Sequence, residues 1–220
     1  MRTTTVGDMT ILLPDLDPDD LDSVTDPTDS LVEALVEDAS WRGTQFEESS
    51  VHSSRITGAD LSESTWEAGA LYGCEIVRTD FSGATLTGTT IERSAVIGSR
   101  LTGVRLTDVR LKDVLFDSCR FDYATLQRIV AAGSVAFTDC TLTNATWSSC
   151  RLPGVALRSC DLAGMELDSC HLNGADLRGS RLQGLKTPLE NLRGVALGED
   201  QLSDLSQLAV DALGLTVRSD

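Results

Sequence analysis

Four aspartates, Asp15, Asp17, Asp19 and Asp26, fall at positions 1, 3, 5 and 12 of a would-be calcium loop, where carboxylates alternate around a hard cation. Their neighbours oppose that chemistry. Pro18 takes position 4, Asp20 stands where the turn needs glycine, position 12 is Asp instead of Glu, and no pair of helical patterns flanks the stretch. Six cysteines and two histidines, His52 and His171, are the residue types of a soft-metal or nucleophilic site. Serine and threonine are abundant, but no His, Lys or carboxylate pair is spaced to activate one. No enzyme, catalytic residue, cofactor or metal is therefore expected.

The elements that would have to position such groups follow from composition. The chain has 220 residues, 41% hydrophobic and only 5% aromatic, which suits a folded core and excludes a disordered tail, a collagen-like fibre or a disulfide-rich miniprotein. No apolar run is long enough to span a bilayer. A net charge of −16 argues against nonspecific nucleic-acid or anionic-membrane binding and leaves room for a basic protein partner. The first twenty residues do not read as a secretory signal, so a cytoplasmic location with reduced cysteines is expected. The charge is uneven: residues 1–40 hold eleven acids and one base. Residues 1–29 read as an acidic flexible arm. Residues 30–40 read as a capping helix with Leu31, Val32, Leu35 and Val36 on one face.

From Trp41 onward a period of five takes over. Every fifth residue from Phe46 to Leu126 is large and apolar, seventeen in succession, and ten more run from Phe137 to Leu182 after a one-residue slip within 127–136. Two residues before each stands a mostly small side chain. A helix would smear this period around its axis, and a strand repeats every two residues. A backbone that turns a corner every five residues satisfies it, with one large and one small residue inward on each side.

This pattern resembles the pentapeptide-repeat family, whose unit is A(D/N)LXX. Ala59-Asp60-Leu61-Ser62-Glu63 and Ala175-Asp176-Leu177-Arg178-Gly179 match it fully, and Thr79-Asp80-Phe81 and Cys160-Asp161-Leu162 nearly so. The resemblance implies an all-β solenoid over 41–185, a right-handed quadrilateral β-helix of about seven coils and roughly 30 Å, with short capping α-helices at both ends. All six cysteines then occupy the small inward position, with Cys119, Cys140 and Cys160 on one side of consecutive coils and Cys150 and Cys170 on another. They read as small buried hydrophobes in preference to a metal ladder or stacked disulfides. The slip reads as a bulge near Gly133 in preference to a projecting loop. In the C-terminal segment, 186–220, a helix at 200–213 places Leu202, Leu205, Leu208, Ala209 and Leu213 on one face. It caps the coil or, by resemblance, also forms a homodimer.

The best understood members of that family mimic B-form DNA and bind type II topoisomerases, protecting gyrase from fluoroquinolones or peptide inhibitors. Here residues 41–185 carry seventeen acids against fourteen bases. With four repeats per coil, one side gathers Glu47, Glu48, Glu67, Asp108, Glu166 and Asp168 against Arg105, and the next gathers Arg93, Arg110, Lys112 and Arg151 against Glu92 and Asp113. The acidic side falls severalfold short of DNA. The expectation is a noncatalytic protein-interaction scaffold using one flat side. A DNA-mimicking binder of gyrase or topoisomerase IV that confers antibiotic resistance is the second reading, with no direct contact to nucleic acid or membrane.

Overall fold

A five-residue period becomes a coil when its side chains find partners 20 residues away. In a computed structural model, which describes residues 2–216, parallel pairing sets Phe46 beside Trp66, Leu86 beside Leu106 and Val96 beside Phe116. Four pentapeptides thus complete each turn of a β-solenoid, giving about seven turns over 41–185. The large residues form one continuous buried core. In it Phe46 stacks on Trp66 with ring centroids 4.1 Å apart and Phe116 on Phe137 at 4.7 Å. The small inward residues also satisfy backbone groups. Ser54 Oγ donates to His52 O at 2.7 Å and accepts from Ala34 N at 3.0 Å. Cys119 Sγ donates to Asp117 O at 3.3 Å in the same manner. The second residue after a large one usually turns the corner, and φ is positive at eighteen non-glycine residues among those described.

The slip is taken up within 132–134. Leu111 pairs with Ala131 at a separation of 20, whereas Val114 pairs with Val135 at 21. Ala131 thus fills the place of a large residue, and the fully buried Ile129 fills the preceding small place. The two volumes compensate.

The N-terminal region departs from expectation on both counts. Residues 31–39 are not helical: β4 (Ser30–Val32) and β5 (Ala34–Glu37) pair with Ser50–His52 and Arg55–Thr57. Leu31, Val36 and Trp41 carry the five-residue period backward, and all three are buried. A nine-residue helix is marginal by itself, and pairing on an existing coil supplies both hydrogen bonds and burial. Residues 2–29 of the expected arm, 1–29, are likewise not free. β1 (Arg2–Val6) and β2 (Met9–Leu13) form an antiparallel hairpin about Gly7, whose φ of +58° suits the tight turn. Ile11 and Leu13 are buried against Ala95, Leu115, Ala136 and Ala156. β3 (Asp22–Ser23) pairs with β5, Val24 packs on the core, and Trp41 Nε1 donates to Thr25 O at 2.8 Å. That segment closes the N-terminal end in place of a helix.

At the other end the ladder runs past Leu182, with Glu166 beside Lys186 and Asp176 beside Ala196. Then α1 (Leu202–Leu213) folds over the last coil. Gln201 donates to Leu177 O and Ser180 O at 2.8 and 2.6 Å, and Asp204 accepts from Leu182 N at 3.1 Å, which pairs backbone groups the coil leaves open. Residues 217–220 of the C-terminal segment lie outside the described residues.

Candidate interaction surfaces

The acidic side is a seven-stranded parallel sheet, Gln45–Glu47, Thr65–Glu67, Thr85–Thr87, Arg105–Thr107, Thr125–Gln127, Thr146–Ser148 and Glu166–Asp168 in that order. Its central residues, from Phe46 and Trp66 to Trp147 and Leu167, point inward and are buried. Outward columns of mostly short polar residues cover it. Glu47, Glu48 and Glu67 lie exposed at one end and Glu166 and Asp168 at the other, with Asp108 between.

Two of these six acids are neutralised. Arg128 grips Asp108 through Nε and Nη2 at 2.6 and 2.7 Å, and its guanidinium holds the Asp108 carboxyl below the usual range. Lys186 Nζ lies 2.6 Å from Glu166. Glu47, Glu48, Glu67 and Asp168 form no ion pair among the described residues. Six strand spacings span about 29 Å, over which B-DNA presents about seventeen charges. The middle of this side is threonine-rich, and its acids gather at the ends.

The cysteines are all free and buried. Cys119 N donates to Cys140 Sγ at 3.4 Å, and Cys160 N donates to Ser180 Oγ at 2.8 Å. Burial pushes the Cys74 thiol up to about 11, and a neighbouring thiol together with burial raises Cys140 and Cys160 as well. Each of the six thiols donates to the carbonyl two residues before it, as a buried packing group does. Among the described residues no cluster of three or more His, Cys, Asp or Glu could hold a metal ion. On α1 only Leu208 is fully seated; Leu205 and Ala209 are half-buried, while Leu202 and Leu213 are 57% and 60% exposed. The single apolar face drawn from the sequence is therefore divided between the coil end and the outside.

A third side was missed by sequence reasoning. The hairpin lies along it, with Arg2 3.3 Å from Glu75 and Asp8 3.5 Å from Arg178, five rungs or about 24 Å apart. At its tip Asp176 receives Arg178 at 2.8 Å and Arg158 at 2.7 Å. Arg178 first, then Arg158, holds the Asp176 carboxyl down to about 2. The available signals were the alternation Met9, Ile11, Leu13 and the outward apolar column Ala95, Leu115, Ala136, Ala156.

A coil of in-register five-residue units with differently dressed sides defines a class, the repeat solenoids. Within it, the chain carries pentapeptide repeats: the family model described as pentapeptide repeats matches residues 136–174 and 148–184, with eight copies. Three solved structures are similar to it. A trypsin-treated variant of QnrB1, a plasmid-mediated fluoroquinolone resistance protein, is 15% identical over 86% of this chain and 92% of its own, with a TM-score of 0.43. HetL, involved in heterocyst differentiation regulation in the cyanobacterium Nostoc sp. strain PCC 7120, is 16% identical over 76% and 86%, TM-score 0.39. Rfr23 from the cyanobacterium Cyanothece 51142 is 11% identical over 76% and 88%, TM-score 0.21. No curated protein matches the chain. No described helix is long and apolar enough to cross a membrane.

Proposed function

We propose that the protein is a noncatalytic, cytoplasmic interaction scaffold whose coil has the right-handed quadrilateral form of its family. The observation that carries this is the seven-stranded acidic side, flat, rigidly in register and ending in Glu47, Glu48 and Glu67 without ion pairs among the described residues. A flat face without a convergent acid, base and nucleophile suits recognition better than turnover. Its partner is a basic protein surface, drawn to the acidic end. The exposed Leu202 and Leu213 of α1 support a homodimer through the C-terminal helix.

The unpaired acids also favour a second reading, a DNA-mimicking binder of gyrase or topoisomerase IV. The charge density described above counts against it. One pair of experiments separates the two. In a gyrase supercoiling assay with and without ciprofloxacin, micromolar protein that neither inhibits nor rescues the enzyme ends the second reading. Crosslinked partners captured by the natural chain and by Glu47→Lys/Glu48→Lys/Glu67→Lys test the first, which fails if both capture the same set equally.

A further inference from the structure

We propose that the side next to the acidic one docks an acidic, extended protein segment. Along it, pairing places Thr90, Arg110, Val130, Arg151 and His171 in one outward column. Arg110, Arg151 and His171 are exposed, and neither guanidinium has a carboxylate partner among the described residues. Eleven of the described lysines and arginines are ion-paired, and of the six that are not, Arg110 and Arg151 share this one column. Beside the column, Lys112 and Arg93 share the single carboxylate of Glu92, at 2.8 and 3.6 Å. Two cations on one acid leave that patch positive. Of the other acids of this side, Asp113 accepts from Ser134 N at 3.3 Å and Glu33 stands exposed at the far end, beside Val32.

The same side continues into an aromatic end. Arg93 sits over the Tyr72 ring at 5.3 Å, and Tyr72 packs on His52 with centroids 5.8 Å apart. Val32, the register partner of His52, is 59% exposed. A ligand lying along the column would meet guanidinium groups first and an apolar, aromatic shelf beyond them.

From Arg110 to His171 the column spans three rungs or about 14 Å, the length of two ~7 Å steps between alternate side chains of an extended chain, with Arg151 between them. Guanidinium groups accept carboxylates bidentately. A nucleic-acid strand needs cations along its whole length, and this column offers two arginines. Residues 14–29 of the protein itself have the required chemistry, seven aspartates and no base. In their own chain they run from Leu13, packed in the cluster of Ala95 and Leu115, to the N-terminal end, where Asp22–Ser23 pairs with β5 and Trp41 contacts Thr25. As a separate peptide they are a suitable probe in trans.

This side is separate from the acidic one, so the two readings can fail independently. The test is fluorescence anisotropy of a labelled peptide of residues 14–29 against the full chain at about 20 mM and about 150 mM salt. The expected result is binding that weakens with salt and falls about tenfold or more in Arg110→Glu/Arg151→Glu, whose melting temperature stays unchanged because both residues are exposed. No binding at the lower salt, or equal affinity in the double variant, overturns the proposal. So does tighter binding of a single-stranded DNA of equal length through the same two arginines.

Discussion

The side under the N-terminal hairpin and the open acidic side are built on the same interior yet behave differently. Both present a large residue inward at every rung, Val96, Phe116, Phe137 and Leu157 on one, Leu86, Leu106, Leu126 and Trp147 on the other. They differ in the residue just before it. On the hairpin side that column reads Ala95, Leu115, Ala136, Ala156; on the acidic side it reads Thr85, Arg105, Thr125, Thr146. A small apolar column accepts Ile11 and Leu13, whereas a threonine column stays hydrated. The inward residues set the fold, and the outward ones decide what each side meets.

Substitutions in the shared interior should matter most. Phe137→Ala and Trp147→Ala should each cost about 3 to 5 kcal/mol, a melting-temperature drop of roughly 6 to 20 °C. A large loss on only one side would show that the interior is not shared. Next in size, Ile11→Asp should undock the hairpin by placing a carboxylate on the apolar column, at about 2 to 4 kcal/mol. Limited proteolysis should then cut within 14–29, and unchanged resistance would mean that the hairpin is held chiefly by its end contacts.

A smaller effect belongs to the latch at the hairpin tip. The folded pKa of Asp176 is about 2, below its ordinary 3.8, so its contribution is present above pH 4 and disappears as pH falls from 4 through 2. For a partly hydrated cluster this amounts to about 1 kcal/mol. Thermal melts across that range should show the loss in the natural chain and a flatter profile in Asp176→Asn. The smallest effect is expected on the open side: Asp108→Ala, which removes only an exposed pair with Arg128, should leave the melting temperature within error. A clear drop there would give the acidic side a structural role and weaken the contrast.

The five-residue period was legible because every rung must fill the same narrow space, so large residues cannot drift. The hairpin was not, although both halves of the signal were present. Met9, Ile11 and Leu13 alternate as a strand should, but the acids of 14–29 dominate the composition of that region. Their receiving column is scattered through the sequence at separations of 20 and 21. Leu31, Val32, Leu35 and Val36 together satisfy a helical spacing while Leu31 and Val36 also satisfy the five-residue one, and only pairing with Val51 and Ile56 decides between them. Counting gathers the acids of the acidic side, but it overlooks the cations that pair with two of them. Arg128 and Lys186 stand 20 residues after Asp108 and Glu166, one rung away and within reach.

The 20-residue register has a consequence for how such a chain can change. Because each residue's side is fixed by its phase within the turn, loss or duplication of a whole turn would alter the rod's length and leave every side's character intact. Loss of a single pentapeptide would act as a quarter turn on everything downstream. The columns of Arg110 and Glu166 would no longer run beside their present neighbours, and each downstream side would continue a different upstream one. The extra residue at 132–134 causes no such rotation, since the ladders on both sides of it remain aligned. Single-residue insertions are absorbed locally, whereas five-residue ones would redistribute the surface wholesale while keeping the core.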